Sequence, residues 1–173
     1  MKPPRILALD LSLTRTGVCE DDGACSCIRT DKLRGMPRID HIARQVQRLA
    51  GGVDLVVIEG YSYASANQAH QVGELGGCVR FLLHRLGVPW VDVAPSTLKK
   101  FATGRGNAGK DEMIAAAIRR FGFAGSDNNE ADAYLLWCMA RHAYGAPVVP
   151  VPAPQAAASE KVSWPQVVGR RCA

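Results

Sequence analysis

The chain lacks the features that would place it in a membrane or in a disulfide-rich class. No apolar run approaches the length of a membrane span, which argues against a helical membrane protein. The first residues lead directly into a strand pattern and do not resemble a signal peptide. The six cysteines form no Cys-x-x-Cys pair, which disfavours a zinc site, and we expect them to be reduced thiols. The sequence therefore predicts a cytoplasmic protein without disulfides.

Size and composition are those of one ordinary domain. The 173 residues are 47% hydrophobic and 21% charged, which is enough to build a core. The net charge is +5, and a basic chain favours a polyanionic partner such as nucleic acid.

The order of hydrophobic patterns predicts an α/β fold. Three short strands come first, with Asp21-Asp22-Gly23 as the turn between the second and the third. Helices and strands then alternate, which indicates parallel pairing through crossovers. We expect a mixed sheet of about five strands, three antiparallel and then parallel, flanked by helices. Residues 1–145 would form this domain, and the Pro- and Ala-rich residues 146–173 would be a disordered tail that contains Arg170-Arg171.

Three acidic residues follow or interrupt apolar segments that lie far apart in the chain. Asp10 follows Ile6–Leu9, Glu59 follows Leu55–Ile58, and Asp132 lies within the last long helix. Each acid alone is explained by a loop cap or by a helix dipole. Together they predict a site for a hard divalent cation, because carboxylates beside apolar runs are costly to desolvate unless a cation or a partner neutralises them.

Four motifs follow one another along the chain. They are Ile6-Leu7-Ala8-Leu9-Asp10-Leu11-Ser12-Leu13-Thr14-Arg15-Thr16-Gly17-Val18, Val57-Ile58-Glu59-Gly60-Tyr61, the segment from Ala94-Pro95-Ser96 to Lys110, and Asn128-Asn129-Glu130-Ala131-Asp132-Ala133. Together they resemble the motifs of the RuvC-like Holliday junction resolvases, which are members of the RNase H-like nuclease superfamily, and they imply that the mixed sheet is RNase H-like. The resemblance covers residues 5 to 144 in the family's order.

The resemblance implies a metal-dependent endonuclease. Asp10, Glu59 and Asp132 would ligate two Mg²⁺ ions about 4 Å apart, for which Mn²⁺ could substitute. Lys110 would act as a further catalytic residue by stabilising developing phosphate charge. Cleavage would leave 5′-phosphate and 3′-hydroxyl ends. One helical turn before Asp132 the family usually has an acid or a histidine, but this chain has Asn129, so either Asn129 or Asp127 would supply the fourth ligand.

A glycine-rich basic segment and two tyrosines are the predicted DNA contacts. Glycines let a backbone approach phosphates closely, and the cations supply salt-dependent affinity. The predicted basic contacts are Lys99, Lys100, Arg105 and Lys110. The resemblance implies that an aromatic wedge follows Glu59, which would be Tyr61 or Tyr63.

The resemblance also implies a homodimer that binds branched DNA. The predicted helix Gln68–Leu86 would form a two-fold interface, and two active sites would then face opposite strands of a four-way junction. The third motif points to a bacterial or phage-encoded enzyme in the bacterial cytoplasm.

Three other functions stay open at this point. A flap or fork nuclease could use the same site. A catalytically weak junction-binding module is favoured by Asn129 at the fourth ligand position. An enzyme of RNA–DNA hybrids is disfavoured, because the Lys99–Lys110 segment resembles that of the resolvases.

Overall fold

The computed structural model describes residues 2–60 and 66–167, which contain five strands and six helices. The strands are β1 (Ile6–Asp10), β2 (Arg15–Cys19), β3 (Cys25–Arg29), β4 (Leu55–Glu59) and β5 (Trp90–Val93). The helices are α1 (Gly35–Ala50), α2 (Ala66–Leu86), α3 (Pro95–Thr103), α4 (Lys110–Phe121), α5 (Asn128–Ala143) and α6 (Ala153–Ser159). No helix in these ranges is long and apolar enough to cross a membrane.

The strands form one open mixed sheet in the order β3-β2-β1-β4-β5. The first three strands pair antiparallel, whereas β4 lies parallel to both β1 and β5. The turn before β3 is the predicted one: Gly23 has a φ of +85°, and the side chain of Asp22 accepts a hydrogen bond from the backbone N–H of Ala24. The predicted fold class is therefore confirmed.

Helices cover both faces of the sheet, which explains why β1 and β4 are continuous apolar runs. Successive side chains of a strand point to opposite faces. In β1, Leu7 and Leu9 pack with α1 and α2, whereas Ile6 and Ala8 pack in the core shared with α3, α4 and α5. Helix α5 contacts four of the strands and is buried without a break from Ala133 to Ala140.

The segment beyond residue 145 corrects the prediction of a disordered tail. Helix α6 packs against α3, and its Gln155, Ala158 and Ser159 are buried. Farther along, the ring of Trp164 lies edge-on to that of Tyr144, with ring centroids 5.9 Å apart. The proline- and alanine-rich composition misled the prediction, because small side chains also let a short helix approach its neighbour closely. Arg170 and Arg171 lie outside the described residues.

Candidate active site

Parallel pairing brings Asp10 and Glu59 together at one edge of the sheet. Leu9 of β1 is in register with Ile58 of β4, so the next residue of each strand is an acid. Their side chains share a hydrogen bond that links the two carboxyl groups directly. The predicted juxtaposition of these two acids is thus present in the structure.

The third acid, Asp132, is brought to this edge by the seating of α5 on β2. Gly17 of β2 is in register with Asp10 and lies directly under the first turn of α5. A Cβ atom at Gly17 would lie 2.0 Å from the backbone oxygen of Asn129, so only glycine permits this approach. Asp132 lies one turn farther along α5, where its charge acts on Glu59 and the charge of Asp10 acts on it.

The pKa values of all three carboxyl groups are raised, and burial is the largest cause for each. Burial, followed by the charges of Asp10 and Asp132, raises the pKa of Glu59 to about 9. Burial and the charge of Asp10 raise the pKa of Asp132 to about 7. Burial also raises the pKa of Asp10, although the hydrogen bond from Glu59 lowers it in part. Three ionised carboxylates at this edge therefore need a compensating positive charge.

Two lysines supply part of that charge. Lys99 of α3 lowers the pKa of Glu59 and of Asp132, and Lys110, the first residue of α4, lowers that of Asp10 and of Asp132. The sequence predicted Lys99 only as a DNA contact, whereas the structure places it beside the carboxylates. The position of Lys99 follows from the strand register. Val93 of β5 is paired with Glu59, and α3 begins two residues later at Pro95, so the first turns of α3 lie close to Glu59.

The donor chemistry of the three acids fits a hard divalent cation. Mg²⁺ prefers carboxylate oxygens and keeps part of its coordination for water and phosphate. As the side chains are placed, however, the described residues contain no group of three or more His, Cys, Asp or Glu that could hold a metal ion. Asp10 and Glu59 are turned toward each other in a shared hydrogen bond. The acids thus match a cation in chemistry but do not form a closed ligand set.

Asp127, one of the two predicted sources of a fourth ligand, is the N-cap of α5. Its Oδ1 accepts hydrogen bonds from the backbone N–H groups of Asn129 (2.9 Å) and Glu130 (3.3 Å). Its Oδ2 lies 2.6 Å from Nη2 of Arg15. Burial tends to raise the pKa of Asp127, but these hydrogen bonds and Arg15 lower it below its ordinary value. Protein groups therefore engage both oxygens, and no sequence pattern had indicated Arg15.

The other candidate for the fourth ligand, Asn129, contacts β2 through its backbone. Its carbonyl group and its Cβ are the atoms that a Cβ at Gly17 would meet first. The structure thus places Asn129 one turn before Asp132, as the spacing predicts, and its role as a ligand stays a prediction.

The predicted basic DNA contacts lie on α3, on the segment that joins α3 to α4, and at the start of α4. Lys100 is exposed on α3. Arg105 forms an ion pair of 2.9 Å with Glu112, which also accepts a hydrogen bond from the backbone N–H of Gly109 and so caps α4. This segment therefore has a defined conformation beside Lys110. Tyr61 and Tyr63 lie outside the described residues.

A mixed α/β sheet with acids at the carboxyl edge of its parallel strands and lysines beside them is typical of metal-dependent nucleases. No family model matches the chain. The crossover junction endodeoxyribonuclease RuvC of Synechococcus sp. (strain WH7803) is 34% identical to this chain, over 66% of this chain and 82% of the relative. The crossover junction endodeoxyribonuclease RuvC of Anaeromyxobacter dehalogenans (strain 2CP-1 / ATCC BAA-258) is 31% identical, over 61% of this chain and 64% of the relative. The chain belongs to the RuvC family of crossover junction endodeoxyribonucleases, which are metal-dependent nucleases.

Solved structures agree with the fold. The structure of T. thermophilus RuvC in complex with a Holliday junction substrate matches with a TM-score of 0.67 and 20% identity, over 86% of this chain and 99% of that one. A structure of Thermus thermophilus RuvC matches with a TM-score of 0.63. At this identity the likeness shows the fold alone.

Proposed function

We propose that this chain is an endonuclease that resolves four-way DNA junctions by hydrolysing phosphodiester bonds. The observation that carries the proposal is the convergence of Asp10, Glu59 and Asp132 from two parallel strands and α5, with Lys99 and Lys110 beside them. Family membership supports the substrate, because the relatives are named crossover junction endodeoxyribonucleases.

Asp10, Glu59 and Asp132 would hold divalent cations, for which we propose two Mg²⁺ per site with Mn²⁺ as a substitute. When bound, such cations lower the pKa of a water molecule and stabilise the departing 3′ oxygen. Cleavage would therefore leave 5′-phosphate ends.

The chain's own residues position the substrate and balance its charge. Lys110 is exposed at the start of α4, where its ammonium group can contact a phosphate oxygen of the substrate as negative charge develops. Lys99 is half-buried and its charge acts on Glu59 and Asp132, so its role is to keep these groups ionised. We propose Lys100 and Arg105 as contacts to the flanking backbone, and Tyr61 or Tyr63 as the residue that stacks on an unpaired base.

We also propose that two copies of the chain pair through α2. Its exposed residues recur at helical spacing and include a large apolar side chain, Phe81, which is 64% exposed. The exposed stripe consists of His70, Glu74, Gly77, Phe81 and His84. A symmetric dimer would carry two sites for the two strands that must be cut.

The dimer is tested by sedimentation of the wild type and of Phe81→Glu. We expect the wild type to be a dimer and Phe81→Glu a monomer, because a buried unpaired carboxylate opposes association. Ile118→Glu is the control, since Ile118 is also exposed but lies on α4. A monomeric wild type would contradict the proposed dimer.

The activity is tested with labelled four-way junction, flap, RNA–DNA hybrid and linear duplex in Mg²⁺ or Mn²⁺. We expect paired symmetric nicks in the junction that disappear in Asp10→Asn. Asp40→Asn is the matched control, because this exposed aspartate of α1 pairs only with Arg44 among the described residues. Preferential cutting of the flap would indicate the flap or fork nuclease instead.

A second candidate function is junction binding without cleavage. It is favoured by Asn129, where the family usually has an acid or a histidine, and by the lack of a closed ligand set among the described residues. Binding of the junction with no cleavage in either metal would support this candidate and refute the endonuclease.

A further inference from the structure

A second group of cations lies at the active-site edge of the sheet, on the side away from α3 and α4. Between Arg29 and Arg38 the chain has four basic residues and one acid, Asp31. We call Arg29, Lys32, Arg34 and Arg38 the β3–α1 surface. The first turn of α1, which follows, contains no acidic residue.

The strand register places this surface near the carboxylates. Asp10 is level with Gly17, and Gly17 is level with Cys27, so Arg29 lies two strands away from Asp10 and two residues farther along the strand direction. With ordinary strand spacing and rise, the Cα atoms of Asp10 and Arg29 are about 12 Å apart. The β3–α1 surface is therefore within a few nucleotides of the site.

Arg29 lies beside a like charge, and a bound anion would reduce the repulsion between the two. It is directly opposite Arg15 in the β2–β3 ladder, and like charges opposite each other in a sheet are destabilising. Arg15 is neutralised by Asp127. Arg29 is exposed and has no ion-pair partner among the residues that the structure describes, and the same holds for Lys32.

The two other arginines have defined positions. Nη1 of Arg34 donates to the carbonyl oxygens of Asp31 and Leu33, at 2.8 Å each. Nε of Arg38 donates to the carbonyl oxygen of Leu33 at 2.9 Å. Each guanidinium group keeps further N–H donors for an anion, because it has five in all. These contacts hold the turn and fix its positive charges, so less side-chain entropy is lost on binding.

We propose that the β3–α1 surface binds the phosphate backbone of the DNA on the side of the scissile bond opposite to the Lys99–Lys110 segment. The DNA would then cross the carboxylate edge between two basic surfaces. Met36, which is 58% exposed among these cations, would add an apolar contact to sugar or base. This inference rests on the proposed function, because it assumes that DNA occupies the site.

The test is the salt dependence of junction binding in the cleavage-deficient Asp10→Asn background. Arg29→Gln with Lys32→Gln should reduce the slope of log K against log salt by about two, because each lost phosphate contact removes about 0.9. Between 50 and 200 mM salt, the loss of affinity in this variant should therefore be about ten-fold smaller than the loss in the parent protein. The control is Arg44→Gln with Arg48→Gln, which removes two charges from the exposed face of α1 toward its far end and should leave the slope unchanged.

Thermal unfolding separates binding from folding. Arg29→Gln removes a like-charge neighbour of Arg15, so the melting temperature should be equal or higher. If the parent protein binds the junction and the Arg29→Gln with Lys32→Gln variant has the same slope as the parent, this inference alone is overturned. Failure of the parent protein to bind any branched DNA would overturn the proposed function and this inference with it.

Discussion

Replacing Gly17 by alanine tests whether the seating of α5 on β2 positions Asp132. The added Cβ would lie 2.0 Å from the backbone oxygen and 2.5 Å from the backbone carbon of Asn129, whereas ordinary contacts begin at 3.4 Å. The first turn of α5 must therefore retreat by about 1.4 Å or the strand must bend. The obstacle is backbone and not the end of a flexible side chain, so the contact cannot be relieved by a change of rotamer.

Both stability and catalysis should respond to Gly17→Ala. Overpacking of this kind typically costs about 1–3 kcal/mol, and we expect the upper end, about 3 kcal/mol, because two backbones collide. Displacement of a catalytic group by about 1 Å can cost about 100-fold in rate. Asp132 lies one turn beyond Asn129 and should move with it.

The assay combines urea denaturation with single-turnover cleavage of a four-way junction at saturating enzyme. Arg119→Ala is the denaturation control, since Arg119 is exposed on α4, and surface substitutions to a good helix former typically change stability by less than about 0.5 kcal/mol. We expect Gly17→Ala to lose stability and cleavage rate while junction affinity changes by less than a few fold. If Gly17→Ala unfolded and cleaved like the wild type, the reasoning that this contact holds Asp132 would be refuted.

Three further predictions concern the same structure. First, the pKa of Glu59, about 9, lies above its ordinary value of 4.5, so the folded state binds this proton more tightly than the unfolded state; without metal, stability should fall progressively as the pH rises from 5 to 9, and urea titrations of Asp10→Asn should show a smaller fall. A pH-independent wild type would contradict this. Second, Asp127→Ala should cost about 2 kcal/mol in urea denaturation because α5 loses its cap and Arg15 its partner, whereas Asp127→Ser should recover the part due to the cap; equal losses would argue against capping. Third, removal of residues 153–173 should lower the melting temperature by several degrees, because α6 no longer covers α3; an unchanged melting temperature would restore the interpretation of a detached tail.

The sequence by itself determined the sheet and its acids. The apolar runs of β1 and β4 are long enough only for strands, and each ends in an acid, so parallel neighbours had to bring Asp10 and Glu59 to one edge. The sequence also shows the helical periodicity of α4, because Met113, Ala117 and Phe121 recur at helical spacing and are buried. These features are local, because they depend on side-chain alternation along one segment.

Only the tertiary structure decided what depends on contacts between distant segments. Asp127 proved to be a cap that is ion-paired to Arg15, more than a hundred residues away, and Lys99 proved to lie beside the carboxylates. Composition predicted disorder beyond residue 145, but the surface of α3 gives α6 a partner against which its small side chains are buried. A one-dimensional pattern shows which residues prefer burial or charge, and it does not show which distant surface will satisfy that preference.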